Sequence, residues 1–166
     1  MIANLITQIA AHCGTPAHEV YSYGSSGGGF AALRLLTLLP DAAAIAINPQ
    51  TNINAYKSGS IYTYYKICFG GLGKAQMLEQ FPHRISLLAL IDSLRGRRIV
   101  IAQNTLDQHH LDDHFRPFCA AIGVPADHAP FDPRLRRILF NAPGGHKKAE
   151  DVSTFRQILA LLKAGI

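Results

Sequence analysis

A β-prone run, Val20-Tyr21-Ser22-Tyr23, enters the cluster Gly24-Ser25-Ser26-Gly27-Gly28-Gly29, and Phe30 to Leu39 leaves it with apolar residues at helical spacing, closed by Pro40. A strand that becomes a helix within so few residues admits few architectures, because the chain must turn at the edge of a sheet and lay the helix back on a sheet face. Inside the turn, Gly24-Ser25-Ser26-Gly27-Gly28 satisfies G-x-S-x-G. In that pattern the serine occupies a strained tip that pushes its hydroxyl out of the sheet, and the residues two before and two after must be small. The helix then aims its N-terminus at the hydroxyl, so the N–H of Gly27 can donate to an oxyanion forming beside Ser26. Ser25 lacks a glycine two residues before it and is the weaker nucleophile. A dinucleotide cradle would need G-x-G-x-x-G and an acidic residue about 20 positions further on. Gly24 to Gly29 does not supply the first, and no acid ends the run near Ile47.

The rest of the chain repeats the alternation of helix and strand. Ile2 to His12 reads as a helix stopped by Gly14 and Pro16, and Ala43 to Ile47 as a fully apolar strand. A helix from about Ile85 to Leu94, a strand Arg98 to Ala102, a helix near Leu111 to Ile122, a strand Arg137 to Phe140 and a terminal helix Val152 to Leu162 follow. Strands apolar on both faces belong to a parallel sheet covered on both sides. The fold class is therefore α/β, one parallel sheet flanked by helices, with residues 1–166 as a single domain. A chain that is 48% apolar and 16% charged sustains such a core. The stretch Gln50 to Gly73, rich in tyrosine and without a sustained period, is placed as an insertion over the site.

Two further strands end in groups that suit Ser26. The run Arg98 to Ala102 leads through Gln103-Asn104-Thr105-Leu106 to Asp107, where a carboxylate can accept the Nδ1–H of a histidine and stabilise its imidazolium. Asp112 and Asp113 are the alternatives for that role, and a helix cap is the plain structural reading of Asp107. The run Arg137 to Phe140 leads through Asn141-Ala142-Pro143-Gly144-Gly145 to His146, the one histidine of eight placed to reach back over the sheet edge as general base.

The segments V-Y-S-Y-G-S-S-G-G-G-F-A-A-L, I-V-I-A-Q-N-T-L-D and L-F-N-A-P-G-G-H resemble the nucleophile elbow, acid strand and histidine loop of the α/β-hydrolase family, in the family's chain order of Ser, Asp and His. The resemblance covers nearly the whole chain. It implies transfer of an acyl group from a carboxylic ester to water through an acyl-enzyme on Ser26, with Asp107 and His146 as acid and base and with no metal or organic cofactor. Family members carry several strands before the elbow, whereas one helix stands there here, so a truncated sheet is expected. A second oxyanion donor, which the family takes from a loop after an earlier strand, has no counterpart upstream of Val20. An edge left open along Val20 to Tyr23 predicts a homo-oligomer or a missing N-terminal segment.

Other chemistries are disfavoured. A net charge of +5 raises the question of nucleic acid. Arg95, Arg97 and Arg98, then Arg134, Arg136 and Arg137, then Lys147 and Lys148 flank strand ends without interleaved aromatics, so no nucleic-acid partner is expected. No apolar run approaches the ~20 residues of a membrane span and the start lacks a signal peptide. No membrane association is expected, and with Cys13, Cys68 and Cys119 as isolated thiols the expected location is cytoplasmic. The dense set Asp107, His109, His110, Asp112, Asp113 and His114 offers imidazole and carboxylate ligands suited to zinc or iron. A polar helix start is the preferred reading of it. The substrate class expected is a small acyl or sugar ester, with a non-catalytic interaction module as the alternative function.

Overall fold

A computed structural model describes residues 1–56, 59–124, 135–147 and 151–164; Arg134 and Lys148 lie outside these. Strands β1 (Tyr21–Ser25), β2 (Ala43–Ile47), β3 (Arg98–Asn104) and β4 (Leu135–Phe140) form one sheet in the order β1-β2-β3-β4, with every pair parallel. The register sets Ser25 beside Ile47, Ile47 beside Ala102 and Asn104 beside Phe140, so the C-terminal ends align along one edge. Parallel sheets gather their functional groups along that edge.

The sequence of β2, Ala-Ala-Ile-Ala-Ile, explains how both faces are covered. Ala44 and Ala46 point to one face, with Ile99 and Ile101 of β3 beside them. Their small side chains let α2 (Gly27–Leu36) pack close through Phe30, Leu33 and Leu36. Ile45 and Ile47 point to the other face, where they join Val100, Ala102, Ile138 and Phe140 beneath Ile158 of the C-terminal helix Val152–Lys163. Full burial of each such Leu, Ile or Phe contributes about 1.5–3 kcal/mol. The period of two in a strand thus becomes two cores, one on each side of the sheet.

Several elements depart from the sequence reading. The stretch Gln50 to Gly73 contains a helix, α3 (Ser60–Phe69), followed by α4 (Lys74–Gln80). Ile61, Tyr65, Met77 and Ile85 make a separate small core there. Its helical period is masked by aromatics that pack on one another, Tyr64 and Tyr65 against Phe69, and Phe69 against Phe81. The helix expected from Ile85 to Leu94 is broken at Ser86, which is extended (φ −138°, ψ 123°) and bridges Asn52. Leu87 N–H then donates to Thr51 O at 2.8 Å, so a tertiary backbone bond overrides local propensity. Only short turns, Leu87–Leu90 and Ile91–Leu94, remain. The helical run expected from Leu111 begins earlier, at Gln108, and passes through a widened π-type turn, Leu111–Phe115, before α5 (Arg116–Ile122).

The N-terminal helix α1 (Ile2–His12) contributes no buried residue, and Ile2, Leu5 and Ile9 are exposed on it. Ile6 and Ala10 line a groove with Val20, Leu39 and Ala42. Among the described residues β1 pairs with β2 alone, at the end of the sheet, and no helix is long and apolar enough to cross a membrane. The C-terminal helix, α6, is capped by Asp151, whose carboxylate accepts from Thr154 N–H at 2.7 Å.

Candidate active site

Ser26 stands between β1 and α2 with φ 53° and ψ −119°, a backbone that non-glycine residues rarely adopt and that costs about 1–3 kcal/mol. Three main-chain bonds hold it there. Its N–H donates to Ile47 O at 2.9 Å, and its carbonyl accepts from Gln50 N–H at 3.1 Å and Phe30 N–H at 3.2 Å. The surrounding glycines divide their work differently from the simple two-before, two-after rule. A Cβ on Gly24 would lie 2.3 Å from Gly28 O, and one on Gly29 would lie 2.9 Å from Pro49 Cβ, whereas one on Gly28 would meet nothing within 4 Å. Thus Gly24 is required by the close approach of the Gly28 main chain and Gly29 by the packing of Pro49, while a side chain at Gly28 has room.

His146 comes from the last strand by way of Gly144 and Gly145, both at positive φ, and enters the single turn Gly145–Lys147. Its Nε2 lies 3.0 Å from Ser26 Oγ and its Nδ1 lies 2.8 Å from Asp107 Oδ2. Asp107 stands three residues beyond the last residue of β3 and is buried. The structure therefore brings Ser26, His146 and Asp107 into one hydrogen-bonded chain of hydroxyl, imidazole and carboxylate. A carboxylate accepts, so His146 Nδ1 is the donor to Asp107, and the neutral tautomer that this contact selects would leave Nε2 as the acceptor facing Ser26 Oγ. Gln50 Nε2 also approaches Ser26 Oγ, at 3.5 Å, from the donor side. Gly27 is the first residue of α2, a position whose N–H has no intrahelical acceptor.

The alternatives separate. Asp112 is exposed and engaged by Gln108 and Arg116, and Asp113 pairs with His109 Nδ1 at 2.7 Å. Ser25 is exposed on β1. Asp107 also serves as a helix cap, its Oδ1 accepting from His110 N–H at 3.3 Å. Among the described residues, the group with metal-ligand spacing is Asp107, His110 and His146, so the six-residue cluster read from the sequence does not converge. Those three side chains are engaged with one another by hydrogen bonds.

A residue that the sequence reading did not single out ties two loops of the site together. Asn104, buried at the end of β3, joins the acid loop to the histidine loop. Its Oδ1 accepts from Leu106 N–H at 3.1 Å and Ala142 N–H at 3.2 Å, while its Nδ2 donates to Ala142 O at 2.9 Å and Gly145 O at 3.0 Å. Its own N–H donates to Asn48 Oδ1 at 2.7 Å. The signal available in the sequence was two amides, Gln103 and Asn104, ending an otherwise apolar strand. His110 and His114 are both buried. Burial pushes each down to about 4, with His146 and His109 opposing a charge on His110 and with His110 and His109 opposing one on His114. Asp107 pulls both the other way without prevailing. His114 Nδ1 accepts from Thr51 N–H at 3.2 Å, which fits a neutral ring.

No family model matches the chain, and no curated protein matches it. Solved structures do. The capsule O-acetyltransferase of Neisseria meningitidis serogroup A is similar at 21% identity and a TM-score of 0.60, over 96% of this chain and 63% of that one. A CoA-bound form of that enzyme is similar at 20% identity and a TM-score of 0.57, over 98% of this chain and 62% of that one. MPT51 of Mycobacterium tuberculosis is similar at 16% identity and a TM-score of 0.57, over 98% of this chain and 66% of that one. The chain spans less than two thirds of the length of each. These likenesses establish the α/β-hydrolase-like fold.

Proposed function

We propose that the chain is a serine-dependent acyl-transfer enzyme that hydrolyses a carboxylic ester, of a small acyl or sugar-ester class, through an acyl-enzyme on Ser26. The observation that carries this reading is the continuous contact from Ser26 Oγ to His146 Nε2 at 3.0 Å and from His146 Nδ1 to Asp107 Oδ2 at 2.8 Å. In this reading His146 takes the hydroxyl proton as Ser26 Oγ attacks the ester carbonyl carbon, and Asp107 holds the resulting imidazolium in place. Gly27 N–H, at the positive end of α2, donates to the oxyanion. Collapse expels the alcohol, which takes its proton from His146. Water then attacks the acyl-enzyme and gives its proton to His146, and the acid leaves as the proton returns to Ser26 Oγ.

A second reading keeps the acyl-enzyme and changes the acceptor. Its support is the name of a fold neighbour, an O-acetyltransferase also seen with CoA, which favours delivery of the acyl group to a hydroxyl other than water. One experiment addresses both. Activated acetyl, propionyl and butyryl esters are incubated with wild type and with Ser26→Ala, with and without added sugar alcohols, and the products are quantified. Turnover confined to wild type supports the acyl-enzyme, and acylated alcohol in excess of free acid favours the second reading. Equal turnover by Ser26→Ala removes Ser26 from the reaction.

A further inference from the structure

Two imidazole rings share the carboxylate of Asp107. His146 Nδ1 takes Oδ2 at 2.8 Å, and His110 Nδ1 lies 3.2 Å from Oδ1 and 3.1 Å from Oδ2. The rings themselves lie face to face, with centroids 4.0 Å apart and planes 12° from parallel. We propose that His110 is a positioning residue of this site, holding the carboxylate of Asp107 and the ring of His146 in the one arrangement that reaches Ser26. This rests on the reading of Ser26, His146 and Asp107 as the acyl-transfer machinery.

His110 is suited to that work because it is itself fixed. It is buried, its N–H is held by the carboxylate it clamps, and its ring packs against His109 and His114 at centroid distances of 5.2 and 4.9 Å. Tyr56 meets it edge-on. Rotation of the Asp107 carboxylate would break the bonds to both rings together, so each imidazole stabilises the orientation that the other needs. Stacking also blocks one face of His146, which limits the swing of a side chain that rises from a glycine-flanked loop. The groups facing His110 are Asp107, His146, His109, His114 and Tyr56, and burial keeps the ring neutral against the pull of Asp107. Neutrality matters to the reaction. When His146 becomes imidazolium it meets a π face 4.0 Å away instead of a second cation.

A merely structural role and a positioning role predict different behaviour of the folded protein. His110→Phe keeps the stacking ring and removes the N–H donated to Asp107, while His110→Asn keeps a donor near the Nδ1 position and removes the ring. The whole chain, wild type and variants, is treated with a fluorophosphonate across pH, and the maximal labelling rate per folded molecule is separated from the half-saturating probe concentration. We expect His110→Phe to lower the maximal rate about 10- to 100-fold, by analogy with the loss of hydrogen-bond partners that orient metal-bound histidines, with half-saturation unchanged. His110→Asn recovers most of the rate. If both variants label at the wild-type rate per folded molecule, His110 is only a core residue and the proposal is overturned. Equal labelling of wild type and Ser26→Ala would instead overturn the acyl-transfer reading.

Discussion

Acid should unfold this protein through two histidines that carry no charge in the native state. His110 and His114 are buried, and each is held down to about 4 from an ordinary value of 6.5. In the unfolded chain both bind protons at the ordinary value, so between pH 6.5 and pH 4 the unfolded state binds more protons and stability falls as pH is lowered. The contribution is fully present above the unfolded value and is lost as pH falls towards the folded one. For either ring taken singly it is about 3 kcal/mol in all, of which about 2 kcal/mol disappears between pH 7 and pH 5. A domain of ordinary stability, about 5–15 kcal/mol, would lose a large fraction from the pair. Urea unfolding at pH 7 and pH 5, in wild type and in His114→Asn, measures the effect. Asparagine Oδ1 can accept the Thr51 N–H that His114 Nδ1 accepts at 3.2 Å, and it does not titrate. The variant should therefore lose about 2 kcal/mol less than wild type over that interval. An identical loss in the two proteins would refute the reasoning.

Gly24→Ala should destabilise by about 3 kcal/mol or more, since its Cβ would stand 2.3 Å from Gly28 O. Gly28→Ala, whose Cβ meets nothing within 4 Å, should stay within about 0.5 kcal/mol of wild type, and urea midpoints would rank the two. Asp107→Asn should lower kcat of ester hydrolysis by about three to four orders of magnitude, because the amide favours the wrong tautomer of His146. Asp112→Asn, exposed and engaged by Arg116, should leave it within about twofold of wild type. Steady-state kinetics that reversed this ranking would move the acid to Asp112.

What the sequence made legible was what local chemistry dictates. A fully apolar Ala43 to Ile47 between turns is a buried strand, and it is observed over those residues. The elbow was readable because a strand, a glycine-flanked serine and a helix follow one another without a gap. Asp107 and His146 were readable as polar groups just beyond apolar strands, and such positions converge in a parallel sheet. Contacts made at a distance were not readable. Ser86 breaks a helical pattern because it bridges Asn52 and the next N–H, that of Leu87, finds its partner in Thr51 O. The second histidine on Asp107 depends on the turn that Asp107 caps, three residues along, and not on any period of apolar residues. Asn104 looks like a strand terminus until Ala142 and Gly145 are brought beside it. Even the role of the glycines was half seen, since Gly29 is demanded by Pro49, a residue from the next strand's loop.

The acyl-enzyme itself can be weighed. Wild-type protein mixed with an activated acetyl ester, quenched in acid during turnover and examined by intact mass and peptide mapping, should carry one acetyl group on the peptide containing Ser26. The adduct should be absent from Ser26→Ala and strongly reduced in His146→Ala. An acetyl group found on another residue, or an equal adduct in the Ser26→Ala protein, would contradict the account.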